Sequence, residues 1–278
     1  MINQKVGKNR NTIDKFYTKD SIVKLCIDEF KSNNNINYDN DFIIEPSSGN
    51  GAFIPYIKKM VKNHLFIDIE PDKNIKDIKK QDYLKLNYNK FLNKYNNIHI
   101  IGNPPFGKQS SLAKKFIEYS ARYCNTISFI LPKSFKKPSM YNAFPLNFHL
   151  LKEIDLPENS FLVNNNEYDV PCIFQIWIKK DYEREKPQII NPNNFEYVKK
   201  TDENYNICVR RVGINAGNVY DKEDCKDKSI QSHYFIKINN YKKSMVSKLN
   251  NVKFPFNNTV GPKSISKQEL NEIYNKII

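Results

Sequence analysis

Between Phe42 and Leu131 the chain alternates short apolar runs with segments of helical periodicity, and that alternation leaves few folds open. Phe42-Ile43-Ile44, Leu65-Phe66-Ile67-Asp68, Ile98-His99-Ile100-Ile101-Gly102 and Ile127–Leu131 read as strands, with Gln81-Asp82-Tyr83-Leu84 closing a further short segment. Helical patterns fall between them, at about Ala52 to Lys62 and at Ser110 to Tyr123, the latter carrying Leu112, Phe116, Ile117 and Ser120 on one face. An earlier helix opens after Thr18, a good N-cap, with Ile22, Val23, Leu25, Cys26 and Phe30 as its apolar face. Strands alternating with helices specify a parallel α/β sheet. Phe148–Leu156 and Cys172–Lys179 also read as strands; the polar loop Asn164–Asp169 joining them is too short for a helical crossover, so they form an antiparallel pair at one edge.

The 278 residues suffice for one large domain, or for one domain with a small appendage. The charged, proline-bearing stretch from Lys179 to Asn194 reads as a boundary. It separates a domain at residues 1–185 from a region at 186–278, where Glu196–Val198, Ile207–Val212 and His233–Ile238 read as short strands and a helix follows Ser266. Met1 to Asn11 is basic and polar, without the apolar stretch of a secretory leader, and no run of about 18 apolar residues offers a membrane span. The five cysteines are scattered with no Cys-x-x-Cys pair, so neither a metal site nor a disulfide framework is expected, and a reducing, intracellular compartment is, cytoplasmic or nuclear. A formal charge of +14 suits a nucleic-acid partner. Abundant Asn, Lys and Ile also follow from an AT-rich genome, so the charge gains weight only beside a motif.

Two motifs supply it. Asn103-Pro104-Pro105-Phe106 directly follows the strand at Ile98–Gly102. The prolines remove two backbone donors, so the carbonyls of this stretch are not all consumed by a ladder. The Asn amide adds an acceptor and two donors, and the Phe a flat face. Such a site suits a planar group that carries an exocyclic amine. Upstream, Glu45-Pro46-Ser47-Ser48-Gly49-Asn50-Gly51 follows the strand at Phe42–Ile44, and its two glycines let the backbone turn sharply and approach a ligand closely. The third glycine of a dinucleotide fingerprint is missing.

Together, and in this order, Glu45-Pro46-x-x-Gly49-x-Gly51 and Asn103-Pro104-Pro105-Phe106 resemble the S-adenosylmethionine-dependent amino-group methyltransferases, chiefly the N6-adenine enzymes of DNA and RNA. The resemblance covers about Lys15 to Lys180. It implies a Rossmann-like, doubly wound methyltransferase sheet with an antiparallel edge strand, here with a small β-rich C-terminal appendage, and S-adenosylmethionine as cofactor. Gly49 and Gly51 would pass under its methionine part and Glu45, beside Pro46, would meet its ammonium. Asp68 would accept from its ribose hydroxyls, with Glu70 as rival, and Asp82 from its adenine amine; Asp82 reads equally as a capping or solvated acid. Phe16 and Tyr17, with Thr18, resemble the aromatic segment that packs over the cofactor, or else form a hydrophobic staple. Asn103, which would also touch the cofactor, would hold the target amine with the Pro104 carbonyl, and Phe106 would stack on a flipped base. Phe161 or Tyr168 would supply a second stacking ring, or sit in the core. No metal is implied.

The implied reaction is methyl transfer to adenine N6. The acidic-Pro form of the first motif and the Phe16-Tyr17 segment favour DNA, and Phe106 in place of Tyr favours RNA; the small C-terminal region suits either a DNA methyltransferase with short recognition or an RNA enzyme. DNA is the expectation, with RNA the alternative. A protein glutamine amide would suit the same pocket but not the basic charge, and a non-catalytic nucleic-acid-binding subunit would not need the glycines and Asn103 intact. Lys108, Lys114, Lys133, Lys136, Lys137, Arg210 and Arg211 are candidates for phosphate contacts, each also readable as a solvated charge.

Overall fold

The computed structural model describes residues 16–256, 258 and 263–278; the basic stretch Met1–Asn11 lies outside them. The chain forms two compact units, residues 1–186 and 187–278.

The first unit is built on a seven-stranded sheet. In chain order its strands are β2 (Phe42–Glu45), β3 (Asn63–Asp68), β4 (Ile78–Lys80), β5 (Ile98–Gly102), β6 (Thr126–Pro132), β7 (Phe148–Asp155) and β10 (Cys172–Lys179), in the spatial order β4-β3-β2-β5-β6-β10-β7. β2, β3, β4, β5 and β6 pair in parallel. β10 is antiparallel to both β6 and β7, so the inverted strand is the inner member of the edge pair and β7 forms the edge itself. Every residue of β2, β5 and β6 is buried, as strands covered on both faces must be.

One face is covered by α1 (Asp20–Asn33), whose buried residues are Ile22, Val23, Cys26, Ile27 and Phe30, and by α2 (Ile54–Met60). The other is covered by α3 (Ser111–Ala121) through Ala113, Phe116 and Ile117. The sheet is thus doubly wound and Rossmann-like. Of the predicted inward face of α3, Phe116, Ile117 and Ser120 are buried, whereas Leu112 is 37% exposed and Ala113 is buried beside it.

Two local expectations are corrected. Thr18 does not cap α1: Lys19 occupies that position without a side-chain cap bond, and Thr18 belongs to a two-residue strand, β1 (Tyr17–Thr18). The connection between β7 and β10 is not simply a loop. It holds a hairpin, β8 (Phe161–Val163) and β9 (Asn166–Tyr168), and β8 pairs antiparallel with β1. The helix starts at Asp20, one residue later than a Thr18 cap requires, and the Thr18 hydroxyl accepts from the Asn103 side chain instead.

The second unit carries a four-stranded antiparallel sheet in the order β11-β14-β12-β13, from β11 (Phe195–Tyr197), β12 (Ile207–Arg210), β13 (Val219–Asp221) and β14 (His233–Ile238). Helices α4 (Ser244–Asn250) and α5 (Lys267–Tyr274) contribute Leu249, Leu270 and Tyr274 to its core. Ser266 and Glu269 form a reciprocal capping box at the start of α5. Against the sequence expectation, Cys208 and Cys225 form a disulfide; β12 and the turn after β13 bring together two residues 17 apart. Cys26, Cys124 and Cys172 are buried free thiols. Among the described residues no helix is long and apolar enough to cross a membrane.

Candidate active site

β2 is flanked by β3 on one side and β5 on the other, so the chain reverses its winding between β2 and β5. In open α/β sheets, ligands bind beyond the strand ends at such a point. Glu45 is the last residue of β2, and Asn103 directly follows β5. The two motifs therefore meet at the switch point although 58 residues apart in number.

The turn after β2 is fixed by its own polar groups. Ser48 N–H donates to the Ile67 carbonyl at 2.8 Å, and Gly49 N–H donates to Asp68 Oδ2 at 2.8 Å. Gly49 and Gly51 sit at φ +50° and +73°, a region that disfavours any side chain. A Cβ on Gly49 would also meet the Tyr17 ring at 3.3 Å, so Tyr17 lies directly over the glycine turn.

Glu45 is 1% exposed, and its Oε2 has no hydrogen-bond partner. Burial pushes its carboxyl up to about 8; the Ser48 hydroxyl opposes that shift and the nearby Asp68 carboxylate adds to it. A buried carboxyl of this kind stays protonated on its own and ionises when a cation is brought to it. Asp68 sits at the end of β3 and accepts backbone N–H groups from Gly49 and from Glu70, each at 2.8 Å. It organises both turns and retains acceptor capacity, since a carboxylate offers about four lone-pair sites. Asp82 accepts from Leu84 N–H at 3.0 Å, capping a short turn, and lies 3.8 Å from Lys85 Nζ.

The Asn103 amide is oriented by the chain around it. Its Nδ2 donates to the Phe16 carbonyl and to Thr18 Oγ1, both at 3.2 Å. A carbonyl can only accept, so the NH2 side must face Phe16. Oδ1 therefore points the other way, and it is buried with no partner. The Asn103 carbonyl accepts from the Ser47 hydroxyl at 2.9 Å, tying the second motif to the first. Ser47 was missed as a site residue because a lone serine in a turn carries no distinguishing pattern. The polar role of Thr18 was legible only as helix capping.

Phe106 is 8% exposed and stacks with Phe16 at 6.5 Å between ring centroids. Phe16 stacks in turn with Tyr168 at 5.3 Å. Phe161 is fully buried beneath the same group, so of the two candidate second rings it takes the core position while Tyr168 is half-buried. Pro46 and Pro104 are buried. Lys133 and Lys136 pair with Asp155, at 3.2 and 2.7 Å, which lowers their value as phosphate contacts.

The orphaned acceptors of Glu45 and Asn103, with the glycine turn roofed by Tyr17, fit a ligand that combines an ammonium group with an extended apolar-polar body. They fit the cofactor implied by the sequence resemblance.

No protein-family model matches the sequence, and no curated protein matches it. Solved structures do. A Listeria monocytogenes protein described as a class I S-adenosylmethionine-dependent methyltransferase is 16% identical at a TM-score of 0.45, covering 64% of this chain and 65% of its own. This chain thus spans just under two thirds of that protein's length. A protein of Pyrococcus horikoshii described as an RNA methyltransferase is 14% identical at a TM-score of 0.42, over 63% of this chain and 93% of its own. The magnesium protoporphyrin IX methyltransferase of Synechocystis PCC 6803, solved with S-adenosylmethionine bound, is 11% identical at a TM-score of 0.40, over 58% and 79%.

Proposed function

We propose that this chain transfers a methyl group from S-adenosylmethionine to the N6 amino group of adenine in nucleic acid, DNA in preference to RNA. The observation that carries the reading is the Asn103 amide, held by Phe16 and Thr18 so that a buried, unpaired Oδ1 faces the switch point of the sheet.

When bound, the cofactor supplies an electrophilic methyl on a sulfonium sulfur. Glu45 would hold its ammonium, the Gly49–Gly51 turn would lie along its methionine part under Tyr17, and Asp68 and Asp82 would take its ribose hydroxyls and adenine amine. Asn103 Oδ1 and the Pro104 carbonyl accept the two hydrogens of the target amine. An adenine amine is a poor nucleophile because its lone pair is delocalised into the ring; two acceptors out of the ring plane favour a tetrahedral nitrogen and direct the lone pair. With the methyl supplied by the cofactor, the nitrogen's surplus proton, made strongly acidic by methylation, would pass to these acceptors and water without a dedicated base. Catalysis here is positioning and charge stabilisation. Phe106 provides a stacking face worth about 1–3 kcal/mol for a base taken out of a duplex.

DNA is preferred because of the Glu45-Pro46 form of the first motif and the Phe16-Tyr17 segment, and the net charge of +14 suits a polyanion. Residues 186–278 are assigned to recognition of the strand. The test is Asn103→Ala: cofactor affinity measured by calorimetry stays within about threefold of wild type while methyl transfer falls by at least about a thousandfold. Loss of both together would refute the role given to Asn103.

A further inference from the structure

The second unit holds a cavity that plays no part in the chemistry above. β14 extends past its neighbour: β11 pairs with residues 236–238 and Val198 N–H still donates to the Phe235 carbonyl at 3.0 Å, leaving the edge open at 233–234. There, a cavity of about 340 Å³ is lined by Tyr197, Lys199, Lys200, Ile230, His233 and Lys267, among others, with no carboxylate in its wall. Its size falls in the usual range of small-ligand sites, about 300–1,000 Å³. Ile230, at the wall, is 68% exposed.

His233 is the informative residue. It is 4% exposed, yet its Nε2 has no hydrogen-bond partner. Its Nδ1 lies 3.0 Å from the Ser232 hydroxyl, which can donate or accept, and 3.2 Å from the Ser229 carbonyl, which can only accept, so a proton on Nδ1 is the tautomer that does not set two acceptors against each other. Burial, with Arg210, Lys228 and Lys200 nearby and only the Ser229 carbonyl opposing, lowers its pKa and keeps the ring neutral. Nε2 is then a bare acceptor, and what it lacks is a hydrogen-bond donor. Phosphate and carboxylate cannot supply one; the hydrogen-bonding edge of a nucleobase can. The surroundings suit the rest of a nucleotide. Lys199 and Lys267 are exposed at the wall, and Lys267 Nζ sits 4.3 Å from the centroid of the Tyr197 ring. Lys200 is committed to the carbonyls of Lys226 and Lys228, which holds the loop bearing Ser229 in place.

We propose that this cavity is a base pocket, taking one base of a nucleic-acid strand by an N–H donor onto His233 Nε2 with Lys199 and Lys267 on the flanking phosphates. It rests on the nucleic-acid reading of the chain and adds a second point of attachment, separate from the base at Asn103.

The test uses the full chain and strands without adenine, so that the site at Asn103 is not engaged. Fluorescence anisotropy compares a single-stranded 12-mer of deoxycytidine, about twelve nucleotides being enough for one binding unit, with the same strand built from 2-pyrimidinone, which lacks the 4-amino group. Wild type prefers the cytidine strand by about fivefold, the worth of one hydrogen bond. His233→Phe abolishes that preference. Because His233 is buried, a second variant guards against misfolding: Lys199→Ala/Lys267→Ala, both at exposed positions, weakens binding to both strands and lowers the salt slope by about 1.4, two single-strand phosphate contacts. Ribose strands run in parallel show which backbone is preferred. A folded His233→Phe protein that keeps the cytidine preference, or a lysine variant with the wild-type slope, overturns the pocket alone. A wild type that binds neither strand overturns the pocket, and one that also binds no adenine-containing duplex overturns the nucleic-acid reading itself.

Discussion

Glu45 ties cofactor binding to a proton. Its carboxyl sits at about 8 in the cofactor-free protein, against 4.5 for an unburied glutamate, because it is fully buried. To hold an ammonium it must ionise, so binding near neutral pH releases a proton. With a pKa of about 8, the group is roughly nine-tenths protonated at pH 7, and about 0.9 proton is released per cofactor bound. The apparent affinity then rises about ninefold between pH 6 and pH 7, a range in which the ammonium itself does not titrate. Stability of the cofactor-free protein moves the other way. Above pH 4.5 the folded state holds a proton that the unfolded state has lost, so stability from this group falls as pH rises and levels off above pH 8. By pH 7 the loss is about 3 kcal/mol, from some two and a half pH units at about 1.36 kcal/mol each. Glu45→Gln removes both effects: it flattens the affinity profile, abolishes proton release and raises the melting temperature more at pH 7 than at pH 5. Calorimetry in buffers of different ionisation enthalpy counts the protons, and thermal unfolding at the two pH values gives the stability difference. Binding without proton release in wild type, or a Glu45→Gln protein that binds the cofactor as wild type does, would refute the reasoning.

Three further outcomes are expected. Thr18→Val keeps the side-chain shape but removes one of the two groups that fix the Asn103 amide; kcat falls about tenfold with KM nearly unchanged, measured by initial rates of methyl transfer. Gly49→Ala forces a side chain into φ +50° against the Tyr17 ring and costs about 1–2 kcal/mol, read as a shift of the denaturant midpoint, with cofactor affinity reduced as well. In the oxidised protein, Cys208→Ala/Cys225→Ala destabilises the second unit by about 3 kcal/mol, the loop-closure value for a separation of this size, whereas either change leaves the reduced protein little affected.

The parallel sheet was legible because its strands are short apolar runs that each stop at turn residues: Phe42–Ile44 before Glu45-Pro46, Ile98–Ile101 before Gly102-Asn103. The helices over it were legible from period alone. What escaped detection has a common cause. The hairpin at β8 and β9 lies in an Asn-rich segment, Val163-Asn164-Asn165-Asn166, and Asn164 and Asn165 turn the chain at positive φ in a way that reads from sequence as a plain loop. Its partner, β1, is two residues long and exists only because β8 is there to pair with it. Thr18 was therefore assigned by local pattern to a helix cap, when a contact 85 residues away decides its role. The Cys208–Cys225 bridge is likewise set by tertiary approach, not spacing. The motifs themselves could be read as neighbours because the switch point of a doubly wound sheet gathers strand ends, whatever their separation in the chain.

The most direct measurement is methyl transfer from isotopically labelled S-adenosylmethionine to matched DNA and RNA pools, followed by mass spectrometry of the nucleosides. The account predicts labelled N6-methyladenine in the DNA pool, absent with Asn103→Ala. Label at any other atom, or none in either pool while calorimetry shows the cofactor bound, would contradict it.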